Sequence, residues 1–215
     1  MDGGSARLVV REEWRRAVRF LVYGRDGHAF DFGPSDRHEA HQAYMDRWLS
    51  HLIGRGPTLS PDGSDHTGSV HVIEVADADT ARGFAFQEPY AQAGWYADVS
   101  VHPMLPGVAG TMWDRPVPDT GHPASFVRAT WPFQSLEDLD VSSLNQGLTE
   151  STPEWLFAGL VLTDDLACSS GFAGAIDLSP DEAIDQLRKL VIDTVGPNAE
   201  IEVHRWRRGG RTASP

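Results

Sequence analysis

Residues 155–206 read WLFAGLVLTDDLACSSGFAGAIDLSPDEAIDQLRKLVIDTVGPNAEIEVHRW, and the succession of patterns in this stretch decides the fold. Trp155 to Leu162 is an unbroken apolar run of strand length, and Gly171 to Leu178 is a second, with Cys168 and Ser169-Ser170 in a hairpin-like turn before it. Ser179-Pro180-Asp181-Glu182 then opens a helix: a serine N-cap, a proline at the first helical position and early acids. Ile184, Leu187, Leu190 and Val191 form its apolar stripe. Glu200 to Trp206 alternates as a closing strand. Upstream, Phe126 to Trp131 favours a strand, and Ser135 to Leu148 carries leucines at 136, 139, 144 and 148. The order is βαββαβ, the ferredoxin-like arrangement.

The same template fits the first half. Val18 to Tyr23 reads as a strand, and Asp36 to Gly54 as a helix with Met45, Trp48, Leu49 and Leu52 on one side and Gly54 as its stop. Thr58 to Ser60 is short enough for an edge strand. Gly68 to Val75 alternates, Asp77 to Phe86 is helical, and Trp95 to Val101 closes the set. The expected fold is α+β: tandem ferredoxin-like domains at a spacing of about a hundred residues. A four-stranded sheet with helices on one face leaves an apolar face to bury, and packing the two sheets together as a dimeric α/β-barrel-like pseudo-dimer buries both. Pro103, Pro106, Pro116, Pro118 and Pro123, interleaved with glycines, mark the division. The expected units are residues 1–105, a linker at 106–122, and 123–215.

The 215 residues are 40% apolar, 9% aromatic and 23% charged, enough to fill a core. Eighteen basic against thirty-one acidic residues give a net charge of −13, which disfavours nucleic acid and anionic lipid as partners. No apolar run has the length to cross a bilayer, and the charged N-terminus MDGGSARLVVREEWRR lacks a signal core, so a cytoplasmic location is expected. One cysteine, Cys168, rules out an internal disulfide and a thiolate cluster. Lys189 is the single lysine, a bias of high-GC, actinomycete-like genomes. Seven of nine histidines precede the linker, so imidazole chemistry belongs to the first half.

Seven pieces of that half are more specific. His41-Gln-Ala-Tyr44, Leu52-Ile-Gly-Arg-Gly-Pro57, Asp62-Gly63, Thr67-Gly-Ser69, Ala81 onward to Glu88-Pro89-Tyr90, then Ala93-Gly94 and Val99-Ser-Val101 stand in order. In them the stretch Val18 to Met104 resembles the YCII-related (YciI-like) domain family. The second half resembles it in element order, without the histidine or the Glu-Pro-Tyr segment. The resemblance implies a ferredoxin-like domain that pairs into a dimeric α/β barrel with a cleft between sheet and helices. It further implies a helix histidine working with an acid in the segment before the last strand, and one branch is linked to dehydrochlorination of hydroxylated aromatics. By position these are His41 and Glu88, where the family usually has aspartate before the proline.

On a helix His41 lies at the end of the stripe through Met45, Trp48 and Leu52. Two readings stand: a histidine oriented by a carboxylate for proton transfer, or one that closes the core. Glu88 before Pro89 is held out of helical geometry and heads a loop. Ser69 and His71 share one strand face, and with Tyr44 and Tyr90 are candidate substrate contacts. His38 and His41, three apart, put two imidazoles on one face, with Asp36 or Glu88 as a third metal ligand. No dedicated ligand motif accompanies them, so no metal is expected, and no phosphate loop supports a nucleotide cofactor. The expected function is a cofactor-independent acid–base enzyme of isomerase, lyase or cyclase type on a small cyclic or aromatic metabolite, with specialised metabolism as the setting. The alternative is a non-catalytic module that binds a small ligand or protein. The expected assembly is a monomeric pseudo-dimer or a homodimer.

Overall fold

Side chains alternate along the strand Val18–Asp26 (β1): Leu21 and Tyr23 enter one buried cluster, Phe20 and Val22 another. A strand buried on both faces must lie between two layers. The computed structural model describes residues 18–31, 36–116, 124–150, 154–195 and 198–210. The N-terminal stretch read as lacking a signal core, residues 117–122 of the expected linker and residue 123 lie outside the described residues. After β1 come α1 (Asp36–Arg47), β2 (Leu52–Leu59), β3 (His66–Val75), α2 (Ala78–Gln87), the one-turn α3 (Pro89–Gln92) and β4 (Tyr96–Pro106). A 3₁₀ turn at Met112–Asp114 leads to β5 (Ala124–Ser135), α4 (Val141–Glu150), β6 (Trp155–Leu162), β7 (Cys168–Ile176), α5 (Pro180–Val195) and β8 (Glu200–Trp206).

The eight strands form one antiparallel sheet closed in the order β1-β3-β2-β8-β5-β7-β6-β4. Three cores result. Leu21, Tyr23, Val70 and Val72 meet Phe126, Phe157, Ala173 and Trp206 inside the barrel. Outside it, α1 and α2 press Tyr44, Met45, Ala81 and Phe84 onto Phe20, Val22 and Ile73. On the other side α4 and α5 press Leu144, Leu148, Leu187 and Val191 onto Val127, Ala129, Leu160 and Phe172. No described helix is long and apolar enough to cross a membrane.

Two seams close the barrel. Thr58 and Leu59 of β2 pair with Trp206 and Arg205 of β8, and the chain continues in register as Arg207 N donates to Pro57 O and Gly209 N to Arg55 O. Met104 to Pro106 of β4 pair with Val161 to Gly159 of β6.

Several expectations are corrected. The first helix ends at Arg47, not Gly54, and Leu52–Leu59 is a full strand paired on both sides, so Thr58 to Ser60 is no edge. Gly54 is there because a Cβ would stand 2.3 Å from the Phe157 ring, a packing need and not a helix stop. Pro103 and Pro106 belong to β4. The segment after them is fastened to the barrel: Gly107 N donates to Ala158 O, Arg19 donates to the Val108 and Gly110 carbonyls, and Met112 is buried. In the second half Leu136 and Leu139 precede the helix, which starts at Val141, and Cys168 begins β7.

Each seam has a glycine where backbones approach. A Cβ on Gly159 would lie 2.1 Å from Leu105 O, and one on Gly56 would lie 2.0 Å from Arg207 O. Gly159→Ala and Gly56→Ala are each expected to lower unfolding free energy by about 1–3 kcal/mol, because backbone cannot give way as a side chain can. Gly83→Ala in α2, where a Cβ would find only the Gln87 side chain, at 3.8 Å, is expected to be neutral or stabilising by up to about 1 kcal/mol. Equilibrium urea denaturation of the three variants checks both.

Candidate active site

The strand period places Val70 and Val72 in the barrel, and Ser69 and His71 on the outer face beneath the helices. Across from them α1 buries His41, Tyr44 and Met45, three residues at helical spacing. Ser69, His71 and His41 thereby reach one cavity of about 360 Å³, which His38, Gln42, His66, Tyr90 and Arg55 also line.

Glu88 carries the geometry of this wall. Pro89 holds it extended, at φ −72° and ψ 148°, so it ends α2 and caps α3. Its Oε1 accepts from Ala91 N at 3.0 Å, and its Oε2 accepts from Tyr90 N at 3.1 Å and from His41 Nδ1 at 2.8 Å. Glu88 is 3% exposed and His41 7%, so the pair is shielded from water. It heads a one-turn helix and not a loop, with the longer glutamate stem serving the cap and the imidazole together.

Tyr90 lies parallel to His41 with ring centroids 4.1 Å apart, and Trp95 stacks on Tyr90 at 5.0 Å. Burial first, then the Glu88 and Asp26 charges, push the Tyr90 phenol far above its ordinary pKa. It therefore stays an O–H donor, and its partner is His38 Nδ1 at 2.5 Å. His38 is pushed down from 6.5 by burial and by His41 and His66, which suits a neutral acceptor. His71 is pushed well below 6.5, by burial first and then by His41, Arg55 and His66. Its ring lies 6.0 Å from that of His41 and meets Phe84 edge-on.

Of the candidate residues, His41, Ser69, His71 and Tyr90 line the cavity and Glu88 stands directly behind His41. Tyr44 does not line it: its hydroxyl donates to Phe84 O at 3.1 Å and its ring packs in the core. The Nδ1 atoms of His38 and His41 turn to different partners, and among the described residues no group of three or more His, Cys, Asp or Glu is placed to hold a metal ion. Sequence reasoning missed His66, which Asp26 holds through Nδ1 at 2.6 Å, and Arg55, which is buried 3.6 Å from the Asp46 carboxylate. It also missed Arg207 to Gly210, which follow β8 and form one wall. The surplus of histidine in the first half was the available signal, since four of them meet here.

The YCII-related domain family matches residues 19–105, so the first half of the chain belongs to that family. The 5-chloro-2-hydroxyhydroquinone dehydrochlorinase of Burkholderia phenoliruptrix AC1100, solved with 2,5-dihydroxybenzoquinone, is 30% identical over 39% of this chain and 89% of its own, with a TM-score of 0.35. A heme-binding protein of Thermus thermophilus is 9% identical over 88% of this chain and 91% of its own, with a TM-score of 0.54. A putative monooxygenase of Fusobacterium nucleatum is 8% identical over 91% and 93%, with a TM-score of 0.51. These last two share the mixed α/β fold across both halves. No curated protein matches the sequence.

The histidines give a stability test. His38, His71, His102 and His204 all lie below 6.5 in the folded chain, each through burial first. As pH falls below about 6.5 the unfolded chain takes up protons that the folded chain resists, so stability is full above that pH and drops beneath it. His71→Gln is expected to flatten this fall by up to about 1.4 kcal/mol per pH unit, the effect of one proton. Urea titrations at neutral and mildly acidic pH measure it, and equal slopes in the two proteins would contradict the assignment.

Proposed function

We propose that this protein is a cofactor-independent acid–base enzyme acting on a small hydroxylated cyclic or aromatic molecule, with His41 transferring the proton and Glu88 holding His41. The observation that carries this reading is the buried hydrogen bond of 2.8 Å from His41 Nδ1 to Glu88 Oε2 at the cavity wall. A carboxylate on Nδ1–H selects the tautomer, orients the ring and supports the imidazolium, which leaves Nε2 as the atom that exchanges protons with a ligand. The cavity volume suits a single-ring molecule. Tyr90 provides a flat aromatic surface beside His41, and the Arg55 guanidinium favours an acidic hydroxyl or its anion. Proton transfer of this kind supports isomerisation, elimination or cyclisation, and composition favours cytoplasmic specialised metabolism in a high-GC organism.

The compounds named with the Burkholderia enzyme supply the probes. The full-length protein is expected to bind 2,5-dihydroxybenzoquinone and to release chloride from 5-chloro-2-hydroxyhydroquinone. His41→Asn and Glu88→Gln are expected to lower turnover by about 100-fold or more while quinone affinity changes only a few-fold. Binding with no turnover by the native protein would favour the non-catalytic module instead.

We further infer that the chain is a pseudo-dimer of ferredoxin-like halves, residues 1–105 and 123–215, joined by 106–122. In support, both halves arrange their strands alike, β4-β1-β3-β2 and β8-β5-β7-β6, and the end strands of each pair with the other. Among the described strands no sheet edge is left for a second copy. Sedimentation equilibrium is expected to give a monomer of 23.6 kDa, and a stable dimer would overturn the idea.

A further inference from the structure

A second histidine in the cavity is held by a carboxylate. Asp26 ends β1 and His66 begins β3, and the antiparallel pairing of these strands brings the two together. Asp26 Oδ2 accepts from His66 Nδ1 at 2.6 Å, with the two side chains only 10% and 6% exposed. Phe30 stacks on the imidazole at 4.5 Å, nearly parallel, as Tyr90 does on His41. On the opposite edge of the ring, His66 Nε2 faces Ser69 Oγ at 3.5 Å, and both residues line the cavity that His41 lines.

The two pairs are built alike, with one difference. Glu88 uses both oxygens in hydrogen bonds, whereas Asp26 Oδ1 is buried and meets no donor among the described residues. A structural ion pair is best with every lone pair met, while a carboxylate committed to one imidazole concentrates its field on that ring. The pairs are also near each other. His71, whose ring lies 6.0 Å from that of His41, feels the charges of both His41 and His66. Tyr96 connects them further, its buried hydroxyl lying in the fields of both Glu88 and Asp26.

We propose that His66, held by Asp26, is a second proton-transfer group of this cavity, and that a polyhydroxylated aromatic ring bound there is tautomerised between His66 and His41. One imidazole takes the proton from a ring hydroxyl, and the O–H electron pair becomes the π bond of a carbonyl. A ring π pair takes a proton from the other, protonated imidazole and forms a C–H bond. The phenol becomes its isomeric ketone, with no electron gained or lost. This rests on the acid–base reading of the His41 pair and adds the second proton-transfer group and the direction of the transfer.

The test uses 1,2,4-trihydroxybenzene, which has no halide to lose, incubated without air in D₂O with the full-length protein. Proton NMR follows exchange of ring C–H for C–D, and absorbance follows binding of 2,5-dihydroxybenzoquinone to each variant. The native protein is expected to accelerate exchange. His66→Gln, Asp26→Asn and His41→Asn are each expected to lower it by about 100-fold or more, with quinone affinity within about threefold of native. Native-rate exchange in His66→Gln, with loss in His41→Asn, overturns the second pair and leaves the first. Loss of quinone binding in both His66→Gln and Asp26→Asn marks the pair as structural and overturns the proposal. No acceleration by the native protein overturns tautomerisation, whereas chloride release separately decides the His41 reading.

Discussion

The hydrogen bond between His41 and Glu88 ties together three segments that local sequence preferences would leave independent. Glu88 terminates α2, caps α3 and receives the imidazole of α1, so one carboxylate sets the relative placement of three helices over the sheet. Two of its partners, His41 Nδ1 and Tyr90 N, are donors buried away from water, and a donor left unmet there costs about 1–3 kcal/mol. The position of Tyr90 follows, because its backbone N–H is one of those donors and its ring then has to lie against His41. From Tyr90 the order passes to His38 through the phenol and to Trp95 through stacking. The cavity wall is thus a consequence of how the helix junction is satisfied.

Much of the fold was legible where a single local pattern decided the outcome. Trp155–Leu162 and Glu200–Trp206 have the bounds expected of them, since an unbroken apolar run and a strict alternation each admit one reading. The first helix was overrun because Trp48, Leu49 and Leu52 keep helical spacing after the backbone has turned. Leu49 is in fact 51% exposed, whereas Leu52 is buried as the first residue of β2 and not as part of a helix. For the candidate site, His41, Glu88 and Tyr90 were found through a motif, and Ser69 and His71 through the period of a strand. Asp26 and His66 escaped because strand register joins them across forty positions, and nothing local to either residue announces the other. Arg207 to Gly210 escaped for a stronger reason, since only barrel closure brings them to Arg55.

That closure is what makes a site on one half the business of the whole chain. Residues that follow β8 complete a cavity whose histidines all lie before residue 72, and they are held there by backbone hydrogen bonds to Pro57 and Arg55. Gly56 and Gly209 permit the approach, with no side chain on either to hold the strands apart. Translation runs from the first strand to the last, so the imidazoles are made early and wait with one wall open until Gly210 has left the ribosome. A nascent chain therefore has its four cavity histidines in place before it has an enclosed space around them, and the pocket is complete only once the barrel has closed.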